Sequence, residues 1–74
     1  MPRYFFNIEG GLHPAPDEEG ILLPSPDEAR AQAATAAGEM LKDLDGRFWD
    51  DSEWQMHVTD EQGVTVCILA IKGS

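Results

Sequence analysis

The chain of 74 residues lacks most of what specialised functions require. Cysteine occurs once, as Cys67, so no internal disulfide can form and the fold must rest on its apolar core. A lone thiol suits a reducing compartment, and the chain is read as cytoplasmic. Basic residues number 5 against 14 acidic ones, a net charge of −9. Arg3, Arg30, Lys42, Arg47 and Lys72 are scattered, whereas phosphate binding draws on clustered Lys and Arg. An anionic membrane surface repels such a chain for the same reason. Neither nucleic acid nor membrane is expected as a partner. The longest apolar-rich run, from Val64 to Ile71, is far shorter than the about 18 residues a bilayer demands. The opening Met-Pro-Arg-Tyr-Phe-Phe-Asn does not read as the apolar segment of a signal peptide.

Constellations that carry chemistry are equally scarce. His13 and His57 stand at no metal-ligand spacing with each other or with Cys67, and are read as surface histidines. A reactive thiol needs a cationic neighbour or a helix N-terminus; on a strand, beside Thr65, Leu69 and a residue such as His57 or Phe5, Cys67 reads as a small half-buried hydrophobe. The acidic run from Asp43 to Glu53 tempts a calcium reading. With Asp43 as loop position 1, however, Gly46 and Glu53 fall out of the EF-hand pattern, so the run reads as a solvated loop. No phosphate loop or paired nucleophile and base is legible. No cofactor, no metal and no catalytic activity are therefore expected.

What is present is a pattern of alternation and punctuation. Arg3 to Glu9 alternates, with Tyr4, Phe6 and Ile8 on one face and Phe5 on the other, as a strand does. Leu12 to Glu19, with Pro14, Pro16 and the acids Asp17, Glu18 and Glu19, predicts a loop. Gly20 to Leu23 predicts a short second strand stopped by Pro24. Ser25-Pro26-Asp27-Glu28 is a capping box with proline at the first helical position, where no N–H is needed. The helix it opens should run to about Asp45, with an apolar stripe of Ala29, Ala33, Ala36, Ala37, Met40, Leu41 and Leu44. Its alanine-rich half must lie close to a sheet, and Gly38 marks a possible close backbone approach. Trp54 to Asp60 and Val64 to Ile71 read as a hairpin joined by a type I turn with Gly63 in a left-handed conformation.

The elements run β-β-α-β-β over residues 1–74, a single small α+β domain of two layers. One helix packs on a four-stranded, mainly antiparallel sheet. If Asp60 opposes Val64, then Val58 opposes Val66, Met56 opposes Ile68 and Trp54 opposes Ala70, all apolar and all toward the helix. The expected core is Tyr4, Phe6, Ile8, Leu22, Trp54, Met56, Val58, Val66, Ile68 and the helix stripe. The same register sends Cys67, Leu69 and Ile71, together with Phe5, to the uncovered face. Several apolar residues there read as a contact surface.

Met-Pro-Arg-Tyr-Phe-Phe, Asp17-Glu18-Glu19-Gly20, Leu23-Pro24-Ser25-Pro26-Asp27-Glu28-Ala29 and Val58-Thr59-Asp60-Glu61-Gln62-Gly63 recur in that order in a family that the chain resembles. These are short bacterial proteins, abundant in α-proteobacteria and grouped as a domain of unknown function. The resemblance implies no activity, cofactor or catalytic residue. The strand–strand–helix layout is also similar to that of small antitoxin domains. Two functions are expected from these features. The first is a non-catalytic interaction module acting as a small homodimer through Phe5, Cys67, Leu69 and Ile71. The second is an antitoxin-like inhibitor or adaptor that offers Asp17, Glu18 and Glu19 to a basic protein.

Overall fold

The computed structural model describes residues 1–10, 15–44 and 53–72, with the side chains of residues 43 and 44 excepted. Strand β1 is Arg3–Gly10, β2 is Ile21–Leu22, helix α1 is Pro26–Leu44, β3 is Glu53–Asp60 and β4 is Thr65–Lys72. The strands form one antiparallel sheet in the order β2-β1-β3-β4, with the helix on one side. β2 and β3 both run against β1, so they are parallel to each other, and α1 is the crossover between them.

Local chemistry sets the helix where the sequence puts it. The Glu28 N–H donates to Ser25 Oγ at 3.3 Å and the Ala29 N–H to the Ser25 carbonyl at 3.1 Å. Asp27 and Glu28 occupy the first turn and Lys42 the last, in the sense the helix dipole favours. Ala29, Ala33 and Ala37, one per turn, are buried against the sheet. Small side chains there let the helix sit close to Met56 and Val58, the largest fully buried groups. Met40 and Leu41 fill the wider end beside them. Gly38 corrects an expectation: a Cβ added there meets nothing within 4 Å, so no close approach explains it.

The hairpin turn forms as predicted. Gly63 has φ +82°, its N–H donates to the Asp60 carbonyl at 3.1 Å, and Asp60 donates to the Val64 carbonyl at 3.0 Å. The Asp60 carboxylate accepts from the N–H groups of Gln62 and Val64. Thr59 then opposes Thr65, in the predicted register, but the next step breaks it. A bulge lets Val58 oppose Cys67 rather than Val66, and from there Met56 opposes Leu69 and Trp54 opposes Ile71. Because side chains alternate every residue, this one-residue slip exchanges the faces of the strand. Cys67, Leu69 and Ile71 are thereby turned to the helix side and pack against the core, with Val66 beside them. Ile68, expected in the core, is 53% exposed, and Ala70 is exposed too. Leu22 is also outside the core, because it pairs with Arg3 on the open face; its neighbour Leu23 packs inward instead.

Candidate functional site

The two edges of the sheet differ in kind. Along the outer edge of β1, every second residue finds a partner. Tyr4 pairs with Ile21 of β2. Ile8 exchanges both backbone bonds with Ala15, at 2.8 and 3.0 Å. Between them no strand residue is available, and the Asp17 carboxylate takes that place. Its Oδ2 accepts from the Phe6 N–H at 3.1 Å, and its Oδ1 accepts from the N–H groups of Glu19 and Gly20. Asp17 is fixed in turn by its own N–H, which donates to Asn7 Oδ1 at 2.9 Å, while the Asn7 amide donates to the His57 carbonyl. Partial burial pushes the Asp17 carboxyl up, but the N–H groups of Gly20, Phe6 and Glu19 together outweigh it and hold the group below its ordinary value. Gly20 closes the segment at φ +73°, where an added Cβ would lie 2.8 Å from Arg3 Cγ and 2.9 Å from the Tyr4 carbonyl oxygen. Leu23 N–H donates to the Pro2 carbonyl beyond it. The segment from Ala15 to Leu23 therefore seals this edge.

The opposite edge is β4, eight residues reading Thr-Val-Cys-Ile-Leu-Ala-Ile-Lys. It holds no proline and no acidic residue, and its only charge is Lys72 at the end. Among the described residues no strand pairs with its outer side, and such an edge can accept an added strand.

The face away from the helix carries a polar row across three strands. Glu9 of β1 accepts from the Gln55 amide at 2.6 Å, and its other oxygen lies 3.2 Å from His57 Nδ1. His57 Nε2 lies 2.7 Å from Thr65 Oγ1 on β4. A carboxylate only accepts, so Nδ1 is the donor to Glu9, and in the tautomer with the single proton there Nε2 accepts from the Thr65 hydroxyl. The Gln55 bond, then the His57 bond, keep the Glu9 carboxyl below its ordinary value. Sequence reading missed this row because its members are 56 residues apart at the extremes (Glu9 and Thr65) and only the strand order β1-β3-β4 brings them together. Around it lie Phe5, half-buried opposite Thr59, and the exposed Ile68 and Ala70. An open hollow at the end of the sheet is lined by Glu9, Glu53, Gln55 and Lys72.

The candidate residues are thus redistributed. Phe5 lies on the open face as expected, whereas Cys67, Leu69 and Ile71 are on the other side of the sheet from it. Glu18 and Glu19 are exposed, but Asp17 is spent on backbone donors and is no free handle for a partner. His13 and most of the acidic run 43–53 lie outside the described residues. Among the described residues no group of three His, Cys, Asp or Glu could hold a metal ion, and no helix is long and apolar enough to cross a membrane.

The chain belongs to a family described as a domain of unknown function (DUF6894), whose model matches residues 3–72. The match begins with β1 and ends with β4, so it takes in all five elements. No curated protein and no solved structure matches the chain.

Proposed function

We propose that this member of the family is a non-catalytic interaction module that works as a small homodimer in the cytoplasm of a bacterium. The observation that carries the reading is the contrast between the two sheet edges. A chain this short has little core to spare, yet it seals the β1 edge with a nine-residue segment and a side-chain carboxylate (Ala15 to Leu23). Among the described residues nothing pairs with the outer edge of β4, a strand that is apolar from Val66 to Ile71. Covering that edge adds ladder hydrogen bonds and sets the exposed Ile68 and Ala70 beside apolar residues of the added strand. A bacterial, α-proteobacterial source is proposed from the opening Met-Pro-Arg-Tyr-Phe-Phe and the other recurring motifs.

Support for the non-catalytic part comes from the geometry of the polar row. A hydroxyl, an imidazole and a carboxylate in line are the parts of a nucleophile activated by a base. Acyl transfer also requires N–H donors converging on the developing oxyanion. Thr65 stands on a sheet face, and strand N–H groups lie in the plane of the sheet, aimed at neighbouring strands rather than above it. The row is better suited to tying β1, β3 and β4 together.

The test is the mass in solution. Light scattering at protein concentrations on the order of tens of micromolar should give a dimer, favoured by higher salt because the charge of −9 opposes association. A monomer mass at both low and high salt would refute the reading. The net charge, with Glu18 and Glu19 exposed, favours a second reading as an inhibitor or adaptor for a basic protein. That reading predicts a monomer that captures a cationic partner from native cells in a salt-sensitive manner.

A further inference from the structure

The direction of each backbone group in the sheet follows from its sealed edge. Phe6 and Ile8 donate their N–H groups outward, to Asp17 and Ala15. Antiparallel pairing alternates, so Phe5, Asn7 and Glu9 turn theirs toward Thr59, His57 and Gln55 of β3. Trp54, Met56 and Val58 then face β4, where they meet Ile71, Leu69 and Cys67. Ile68 and Ala70, which alternate with these, aim their N–H and C=O groups away from the sheet at the bare edge.

We infer that the occupant of this edge is β4 of a second copy, antiparallel and in one register, with Leu69 opposite itself. The inference rests on the homodimer reading and specifies its geometry. Opposed residues in a continuous sheet share a face, so a two-fold pairing must centre on a residue rather than between two. Centring on Leu69 sets Ile68 against Ala70 on the open face, with reciprocal hydrogen bonds from both. On the helix side it sets Cys67 against Ile71 and Leu69 against its own copy. From Cys67 to Ile71 every opposed pair is then apolar. Centring on Ala70 instead sets Ile68 against Lys72, and centring on Ile68 brings the bulged Val66 one position nearer the axis, against Ala70, whereas the Leu69 register leaves it at the end of the pairing.

Charge argues for the same occupant. The strand is free of acids in a chain of net −9, so two copies approach here with the least repulsion. In this register Lys72 opposes Val66 of the second copy, beside the turn that carries Asp60 and Glu61. The pairing also stops at two copies, because the other edge of each sheet is sealed by Ala15 to Leu23.

Cross-linking reads the register directly. Two full-length variants are made, each with Cys67→Ala, one adding Ile68→Cys and the other Ala70→Cys. Both new positions are exposed in the single chain, and circular dichroism checks the fold. Directly opposed Cα atoms in a hydrogen-bonded pair are about 5.5 Å apart, within disulfide range. Under mild oxidation a mixture of the two variants should cross-link into the mixed dimer roughly tenfold or more faster than either variant alone. Fast cross-linking of the Ile68→Cys variant alone, or of the Ala70→Cys variant alone, would overturn the register. A dimer mass by light scattering without any of these cross-links would overturn the β4 edge while leaving the homodimer standing. A monomer mass at low and high salt would remove both.

Discussion

Removing the Asp17 carboxylate should detach the segment that seals the β1 edge. Asp17→Ala deletes three acceptor contacts, to the N–H groups of Phe6, Glu19 and Gly20, at 3.0 to 3.1 Å. A hydrogen bond to a charged group contributes about 1.5–3 kcal/mol when well formed. Asp17 is only half-buried and Glu19 is exposed, so part of this returns as hydration. The Phe6 N–H is left without its acceptor on the sheet edge. We expect a net loss of about 2–3 kcal/mol, a large share of the ~4–11 kcal/mol available to a domain of this length. With an m-value of about 1 kcal/mol/M, the urea midpoint should fall by roughly 2 M or more. Asp17→Asn retains one oxygen for Glu19 and Gly20 but turns an NH₂ toward the Phe6 N–H, so it should fall between Ala and the parent. Hydrogen exchange should show the Phe6 amide losing protection in both variants.

The same carboxylate fixes the sign of the acid response. Its folded pKa is held below the ordinary 3.8, so its stabilising effect is complete above that value and is lost as pH falls through the folded pKa. The parent should therefore lose stability below about pH 4 more steeply than Asp17→Asn, whose residue 17 cannot titrate. Parent-like urea midpoints for both variants, or equal acid slopes, would refute the assignment of Asp17 as a stand-in for a strand residue.

Other substitutions test other links. Ser25→Ala removes the cap at the Glu28 N–H and should cost about 1 kcal/mol by urea denaturation. Gly38→Ala should stabilise by up to about 1 kcal/mol, since the added methyl meets open space in a helical backbone; a loss would mean that the helix surface there is covered. Gly20→Ala should destabilise, because φ +73° is strained for alanine and the methyl would strike Arg3 and the Tyr4 carbonyl; the thermal midpoint reads it. Leu69→Asp should unfold the domain by placing a charge against the core, whereas Ile68→Asp should leave it folded; the reverse order would restore the unbulged register.

Much of the fold was legible because its signals were local. The Ser25 cap, the alanine stripe and the left-handed Gly63 each depend on residues a few positions apart, and each appears where the spacing puts it, although of the reciprocal capping box only the Ser25 half forms. Beyond the β3–β4 hairpin the strand order was not legible, since no short-range pattern states which of the other strands meet. The sealed edge was hidden for a related reason. Asp17 reads as one of three loop acids, and only the gap between Ala15 and Ile21 along β1 gives it a ladder position. Gly20, two residues past Glu18, was the available hint: a glycine after an aspartate that can accept from its N–H is a turn signal.

The register of β4 failed to read for a reason that bears on function. A half-buried strand normally alternates, and the alternation fixes which face turns inward. From Val66 to Ile71 every residue of β4 is apolar, so either face would satisfy the helix and the pattern cannot choose between them. The bulge at Val66 makes the choice, turning Cys67, Leu69 and Ile71 inward and leaving Ile68 and Ala70 outside. A strand with one buried face needs only one apolar face. The second apolar face and the bare backbone edge occur on the same strand, which carries no acid in a strongly acidic chain. Solubility alone favours charge on such an edge. The absence of that protection on both counts is the physical reason for assigning this strand, rather than the helix or the acidic loops, to the meeting of two molecules.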